Sequence, residues 1–136
     1  FTEAERAAGA WLRERSSPDD LVAILPNSTS SYTVLGLGER RLVHAWTGHL
    51  LDFHHGARAQ ERDVREIFES EDPTRAAELA SRYRVDYLYV GRAERGVMKP
   101  GSLGGGCFES VFSWDEVELL EFTCAGDGAV SPAGDP

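Results

Sequence analysis

The stretch from Asp72 to Gly91, DPTRAAELASRYRVDYLYVG, constrains the fold more than any other, because it reads as a helix delivered directly into a strand. Asp72 suits a helix N-cap, and Pro73 falls at the first helical position, where a missing N–H costs nothing. Ala76, Leu79, Ala80 and Tyr83 share one helical face, and Arg75, Glu78 and Arg82 take the other, so one side is expected to be buried. Only Arg84 separates this helix from Val85-Asp86-Tyr87-Leu88-Tyr89-Val90, a run rich in β-branched and aromatic residues that Gly91 ends. A strand reached in this way belongs to an α/β layer, and it is expected to be the central strand of a small sheet. Period-two alternation places Tyr87 and Tyr89 on one face and Asp86, Leu88 and Val90 on the other.

The flanking sequence supplies the remaining elements. Thr2-Glu3-Ala4-Glu5 forms a capping box, and Ala4, Ala8, Trp11, Leu12 and Arg15 follow at helical spacing. After the turn residues Ser16 to Asp20, Leu21-Val22-Ala23-Ile24-Leu25 is a continuous apolar run, as in a strand covered on both faces, and Pro26 stops it. Ser28 to Leu37 reads as a short helix turning at glycine, and Leu42-Val43-His44-Ala45-Trp46 as a second short strand. Thr47 to Gly56 has no period and is expected to be an ordered loop. A helix is expected from about Ala59 to Glu69, with Val64, Ile67 and Phe68 inward and Glu61–Arg65 and Arg62–Glu66 as surface pairs.

Arg92 to Gly106 reads as a long mobile loop. Cys107 to Phe112 and Val117 to Phe122 flank Ser113 to Glu116, the pattern of a β-hairpin with a four-residue loop. The whole is expected to be a single α/β domain over residues 1–124, with a disordered tail over 125–136. Its small mixed sheet has parallel strands near Leu21, Leu42 and Val85, then a C-terminal antiparallel hairpin, with helices packed on its faces.

Charge narrows the function classes. The 136 residues carry a formal net charge of −9, which repels nucleic acid and anionic membrane surfaces. No run approaches the roughly 18 apolar residues of a membrane span. No signal peptide opens the sequence, and Phe1 already lies inside a helix signal, so a soluble domain of a longer protein is expected.

Candidate chemistry is sparse. His44, His49, His54 and His55 with Asp52 lack both an i, i+4 pair and a Cys/His framework, so no metal site is expected. Gly101 to Gly106 lacks the Lys-Ser/Thr of a phosphate loop and precedes a strand, so it is not read as a phosphate cradle. Ser, His, Asp and Cys are present without a nucleophile elbow, and no catalytic residue or cofactor is assigned. Trp46 and His49 can offer a sugar an aromatic face and an imidazole hydrogen bond, although Trp46 serves equally as a core side chain. Glu94 and Arg95 follow the end of the central strand, where α/β sheets open their crevices, and Arg95 suits a phosphate or carboxylate as well as a salt bridge. The candidate ligand-binding residues are therefore Trp46, His49, Glu94 and Arg95.

If the hairpin pairs as expected, Cys107 comes close to Cys124, and a cross-strand disulfide is expected. Such a bond fits an oxidising setting. Asn27-Ser28-Thr29 is an N-glycosylation triplet on an expected turn.

HAWTGHLLDFHH, RDVREIFESEDP, LASRYRVDYLYVGRAER and FESVFSWDEVELLEF, in this order and spacing from about Leu42 to Phe122, carry a resemblance. The chain resembles the soluble C-terminal region of YYY-type polytopic membrane proteins of bacteria and archaea, which are similar to C-type glycosyltransferases. That family often has a glycine where Arg84 stands, which implies strain or a different helix end here. It also often has a polar or charged residue near Leu50 and an Arg near Phe53.

The resemblance implies an α/β domain on the extracytoplasmic face of the membrane, whose partner is the transmembrane portion of the same polypeptide. The parent would use a lipid-linked sugar, with its acidic catalytic residue elsewhere. The expected role is non-catalytic, positioning lipid-linked sugar or glycan acceptor or stabilising the enzyme. The alternatives are a stand-alone carbohydrate or small-molecule binding module, and a small enzyme using His49, Glu94 and Arg95.

Overall fold

The computed structural model describes residues 1–43, 56–99, 103, 104 and 106–124. Helix α1 (Glu3–Arg15) leads to β1 (Leu21–Ala23), a short helix of π type, α2 (Tyr32–Leu37), and β2 (Arg41–Leu42). Then come α3 (Gly56–Glu69), α4 (Pro73–Arg82), β3 (Tyr87–Val90), the single turn α5 (Arg92–Arg95), β4 (Phe108–Trp114) and β5 (Val117–Phe122).

The five strands form one sheet in the order β2-β1-β3-β5-β4, with β3 in the centre. β1 runs parallel to both β2 and β3, whereas β5 is antiparallel to β3 and to β4. The mixed sheet therefore has the parallel strands and C-terminal hairpin that the sequence predicts.

Alternation along the strands splits the core in two. Ala23, Leu88, Val90, Leu120 and Phe122 face Val64, Ile67, Phe68, Ala76, Leu79 and Ala80 of α3 and α4. Val22, Tyr87, Tyr89, Val117 and Leu119 face Ala4, Ala8, Leu12 and Val34 of α1 and α2. Helices thus cover both faces, which is why β1 and β3 carry unbroken apolar runs. The tyrosines and the Leu88–Val90 pair lie on opposite faces, as period two requires.

Local chemistry fixes the helix ends. The Thr2 hydroxyl accepts from Glu5 N at 3.0 Å, and Thr2 N donates to Glu5 Oε1 at 2.8 Å, completing the capping box. Asp72 Oδ1 accepts from Thr74 N at 3.0 Å, capping α4 behind Pro73. The end of α1 is held by Arg40, a buried guanidinium that donates to the carbonyls of Arg13 (3.0 Å) and Ser16 (2.9 Å) and to Ser16 Oγ (2.7 Å). A cation at a helix C-terminus also complements the helix dipole. α1 packs so closely on α2 that a Cβ at Gly9 would come within 2.5 Å of Leu37 Cβ.

Four expectations need correction. The hairpin turn is two residues, Asp115-Glu116, rather than four, because β4 continues through Ser113 and Trp114. A register shift between Ser110 and Phe112 takes up the extra residue, and Asp115, at φ 58°, accepts the left-handed backbone that so tight a turn demands. Arg92 to Arg95 is helical, because Gly91 and Glu94 cap it, so the loop after β3 begins later than its glycine content suggests. α3 begins at Gly56, ahead of Ala59. Glu61 and Arg65 do pair, at 3.4 Å, but Glu66 is held by Arg75 of α4 at 3.2 Å, an interhelix contact that spacing within α3 cannot anticipate.

The expected strand over Leu42 to Trp46 begins one residue earlier, at Arg41, and its part beyond Val43 lies outside the described residues. So do most of the loop from Thr47 to Gly56, residues 101, 102 and 105 of the glycine cluster and the tail over 125–136.

Candidate functional site at the carboxyl edge of the sheet

Three parallel strands end at one edge. From β1 the chain runs on to Leu25, from β2 to Val43, whose N–H still donates to Val22 O (3.1 Å), and from β3 to Gly91. The β4–β5 turn lies at the same edge, because Val90 pairs with Glu118. β1 has β2 on one side and β3 on the other, so the order of connections reverses between β1 and β3. At such a switch point an α/β sheet opens a crevice for ligands.

Here a side chain of the chain itself ties the ends of β1 and β3 together. Glu94 is fully buried, and its Oε2 accepts from Leu25 N at 2.9 Å. Its Oε1 accepts from Gly91 N and from Ser30 Oγ, both at 3.0 Å. Two strand-end amides and a hydroxyl therefore converge on one carboxylate, as they would on a bound anion. Burial pushes the Glu94 carboxyl above its ordinary range, against the pull of these donors. The close fit also explains Gly91, where a Cβ would come within 2.8 Å of Tyr89 Cε1.

Arg95 points the other way. It is 44 % exposed, donates from Nε to Glu116 O at 2.9 Å, and places Nη2 3.6 Å from Glu118 Oε1. α5 thus turns one charged side chain inward as a staple between β1 and β3, and leaves the next on the rim, tied to the hairpin turn. Trp46 and His49 lie outside the described residues, so of the four candidate side chains the structure brings Glu94 and Arg95 to this edge and describes no more.

Sequence reasoning missed Ser30 and Leu25 as the partners of Glu94. The pattern Gly91-x-x-Glu94 signals the local cap, but contacts 64 and 69 residues away in sequence leave no local trace. Among the described residues no group of three or more His, Cys, Asp or Glu is placed to hold a metal ion. No described helix is long and apolar enough to cross a membrane. Cys107 and Cys124 are joined in a disulfide, with Cα atoms 5.2 Å apart.

The fold and this edge define an α/β domain of mixed sheet in which Glu94 joins the ends of β1 and β3. It is similar to the C-terminal globular domain of the oligosaccharyltransferase from Archaeoglobus fulgidus, with a TM-score of 0.61 at 10 % identity, covering 90 % of this chain and 98 % of that one. At this identity the likeness is one of fold. No family model matches the chain, and no curated protein does.

Proposed function

We propose that the chain is a non-catalytic extracytoplasmic domain of a membrane-embedded, glycosyltransferase-like protein that uses lipid-linked sugars, and that it helps to position substrate or to stabilise the enzyme. The observation that carries this reading is the fold likeness to the oligosaccharyltransferase domain over nearly the whole of both chains. The disulfide supports the compartment, because such bonds persist where thiols are not kept reduced. The arrangement at the sheet edge supports the absence of catalysis in this part. Glu94 is committed to three protein donors, and Glu116 and Glu118 are half-buried at the hairpin, with Glu118 3.6 Å from Arg95.

Any ligand of this domain is proposed to sit around Trp46, His49 and Arg95, with Glu94 fixing the turn that carries Arg95. One aromatic face, one imidazole and one guanidinium suit a sugar hydroxyl array or a phosphate, and they supply no paired carboxylates for glycoside hydrolysis. Titrating sugar phosphates into isotope-labelled protein and following amide shifts tests the reading. Weak binding is expected, with shifts confined to Arg92–Arg95 and the residues after β2. Shifts clustered elsewhere, or glycoside or ester turnover that His49→Ala abolishes, would overturn it.

A further inference from the structure

The triplet Asn27-Ser28-Thr29 lies in the turn that follows β1, and the proposed function makes no use of it. Asn27 and Thr29 are both exposed, whereas Ser28 between them is buried, so the acceptor amide and the hydroxyl two residues on project outward from the same turn. The backbone makes this possible. Asn27 adopts φ 63°, a left-handed conformation that asparagine tolerates better than most residues, directly after Pro26. The turn is firm, with Thr29 O accepting from Tyr32 N at 3.0 Å and Ser28 O from Ser31 N at 3.4 Å. Asn27 Nδ2 donates to Glu61 Oε2 of α3 at 3.4 Å, at the surface. A glycosylated asparagine keeps one Nδ2–H, so this contact and a sugar are compatible.

We propose that Asn27 is an N-linked glycan acceptor. The residue in the middle of the triplet is serine rather than proline, and the position is a surface turn, which are the two conditions the motif requires. In the transfer, Asn27 Nδ2 bonds to the anomeric carbon of a glycan carried on a lipid phosphate or diphosphate. The bond from that carbon to the phosphate oxygen breaks, the lipid phosphate leaves with the electron pair, and Nδ2 gives up one proton to a base of the transferase. The proposal rests on the extracytoplasmic reading above, because the donor and its transferase act outside the cytoplasm. The disulfide is its independent support on this chain.

An alternative role for Asn27 is purely conformational, supplying the left-handed turn. Thr29 separates the two, since Thr29→Ala removes the acceptor motif and leaves Asn27 and its backbone in place. The chain is isolated from its source cells, alkylated without reduction, digested and examined by peptide mass spectrometry. We expect the Asn27 peptide to carry a hexose-containing addition on the asparagine, the Thr29→Ala chain to lose it with an unchanged thermal melt, and Cys107 and Cys124 to resist alkylation. An unmodified Asn27 with an intact disulfide overturns this proposal and leaves the compartment reading standing. Alkylated cysteines together with an unmodified Asn27 overturn both, and a glycan that survives Thr29→Ala overturns the assignment to this motif.

Discussion

A single residue stands against the local rules of this chain, and its position explains why. Arg84 has φ 58°, in the left-handed region that glycine occupies without cost. It follows Tyr83, the C-cap of α4. Val85 N donates to Ala80 O at 2.9 Å and Arg84 N to Ser81 O at 3.2 Å, the paired bonds of a Schellman ending. Val85 and Ala80 also meet in the core, so the hydrophobic half of the motif is present as well. The glycine expected here from the family resemblance is absent while its geometry is kept. Arg84 is exposed, so its replacement removes little packing. Arg84→Gly is therefore expected to stabilise the protein by about 0.5–1 kcal/mol, the left-handed penalty less the greater freedom of glycine in the unfolded chain. Urea unfolding would show a higher midpoint at unchanged slope, and an unchanged or lower midpoint would contradict the strain. The strain was legible only through the family resemblance, which has a glycine where Arg84 stands; the residues alone show that the helix ends close to the strand. The role of Glu94 was legible only as far as Gly91, since Leu25 and Ser30 reach it through tertiary structure.

At the scale of elements, α1, α4, β1 and β3 were readable because each combines a periodic or continuous apolar pattern with a terminal signal: Thr2 and Glu5, Asp72 and Pro73, Pro26, Gly91. The hairpin was readable in kind and not in register. Ser113-Trp114-Asp115-Glu116 has turn composition, yet cross-strand pairing of Trp114 with Val117 and of Ser113 with Glu118 extends the ladder, and the bulge near Val111 absorbs the odd residue. Cys107 consequently lies opposite Thr123, whose N–H donates to Cys107 O at 2.8 Å, and the disulfide to Cys124 crosses diagonally at the open end of the hairpin. There it fastens the edge strand β4 to β5, beside the Phe108–Phe122 ring contact at 5.2 Å. Because 17 residues separate the cysteines, closing the loop is expected to contribute about 3 kcal/mol. Denatured, unreduced protein should show no titratable thiol. The double variant Cys107→Ala, Cys124→Ala should lose stability by about that amount, with early proteolysis at β4. Two free thiols would refute the bond, and an unchanged midpoint would refute its energetic weight.

The molecule as a whole is two helical layers clamped on one thin sheet, and the centre of the clamp is Tyr89 in the middle of β3. Its ring packs under α1 and α2, nearly without exposure, and its hydroxyl meets Thr33. Burial pushes its pKa from the ordinary 10.0 to about 12, with the Thr33 hydrogen bond opposing and nearby Glu5, Glu94 and Glu116 adding to the rise. Burial likewise raises Tyr87 on the same face and Tyr83 at the end of α4, the latter with Asp63 accepting its hydroxyl proton at 2.6 Å. The folded state therefore holds protons that the unfolded chain releases. Stability from these groups is fully present below about pH 10 and is lost as pH rises through their folded values. For Tyr89 the gap between the two states is worth on the order of 2–3 kcal/mol. Unfolding in urea at fixed pH values from 8 to 12, followed by tyrosinate absorbance, should show stability falling steeply above about pH 10. Tyr89→Phe should cost about 1 kcal/mol near neutral pH, from the lost hydroxyl contact, and should flatten that alkaline fall. If the folded protein instead titrated all four tyrosines near pH 10 without losing stability, the central strand would not be sealed between its two layers.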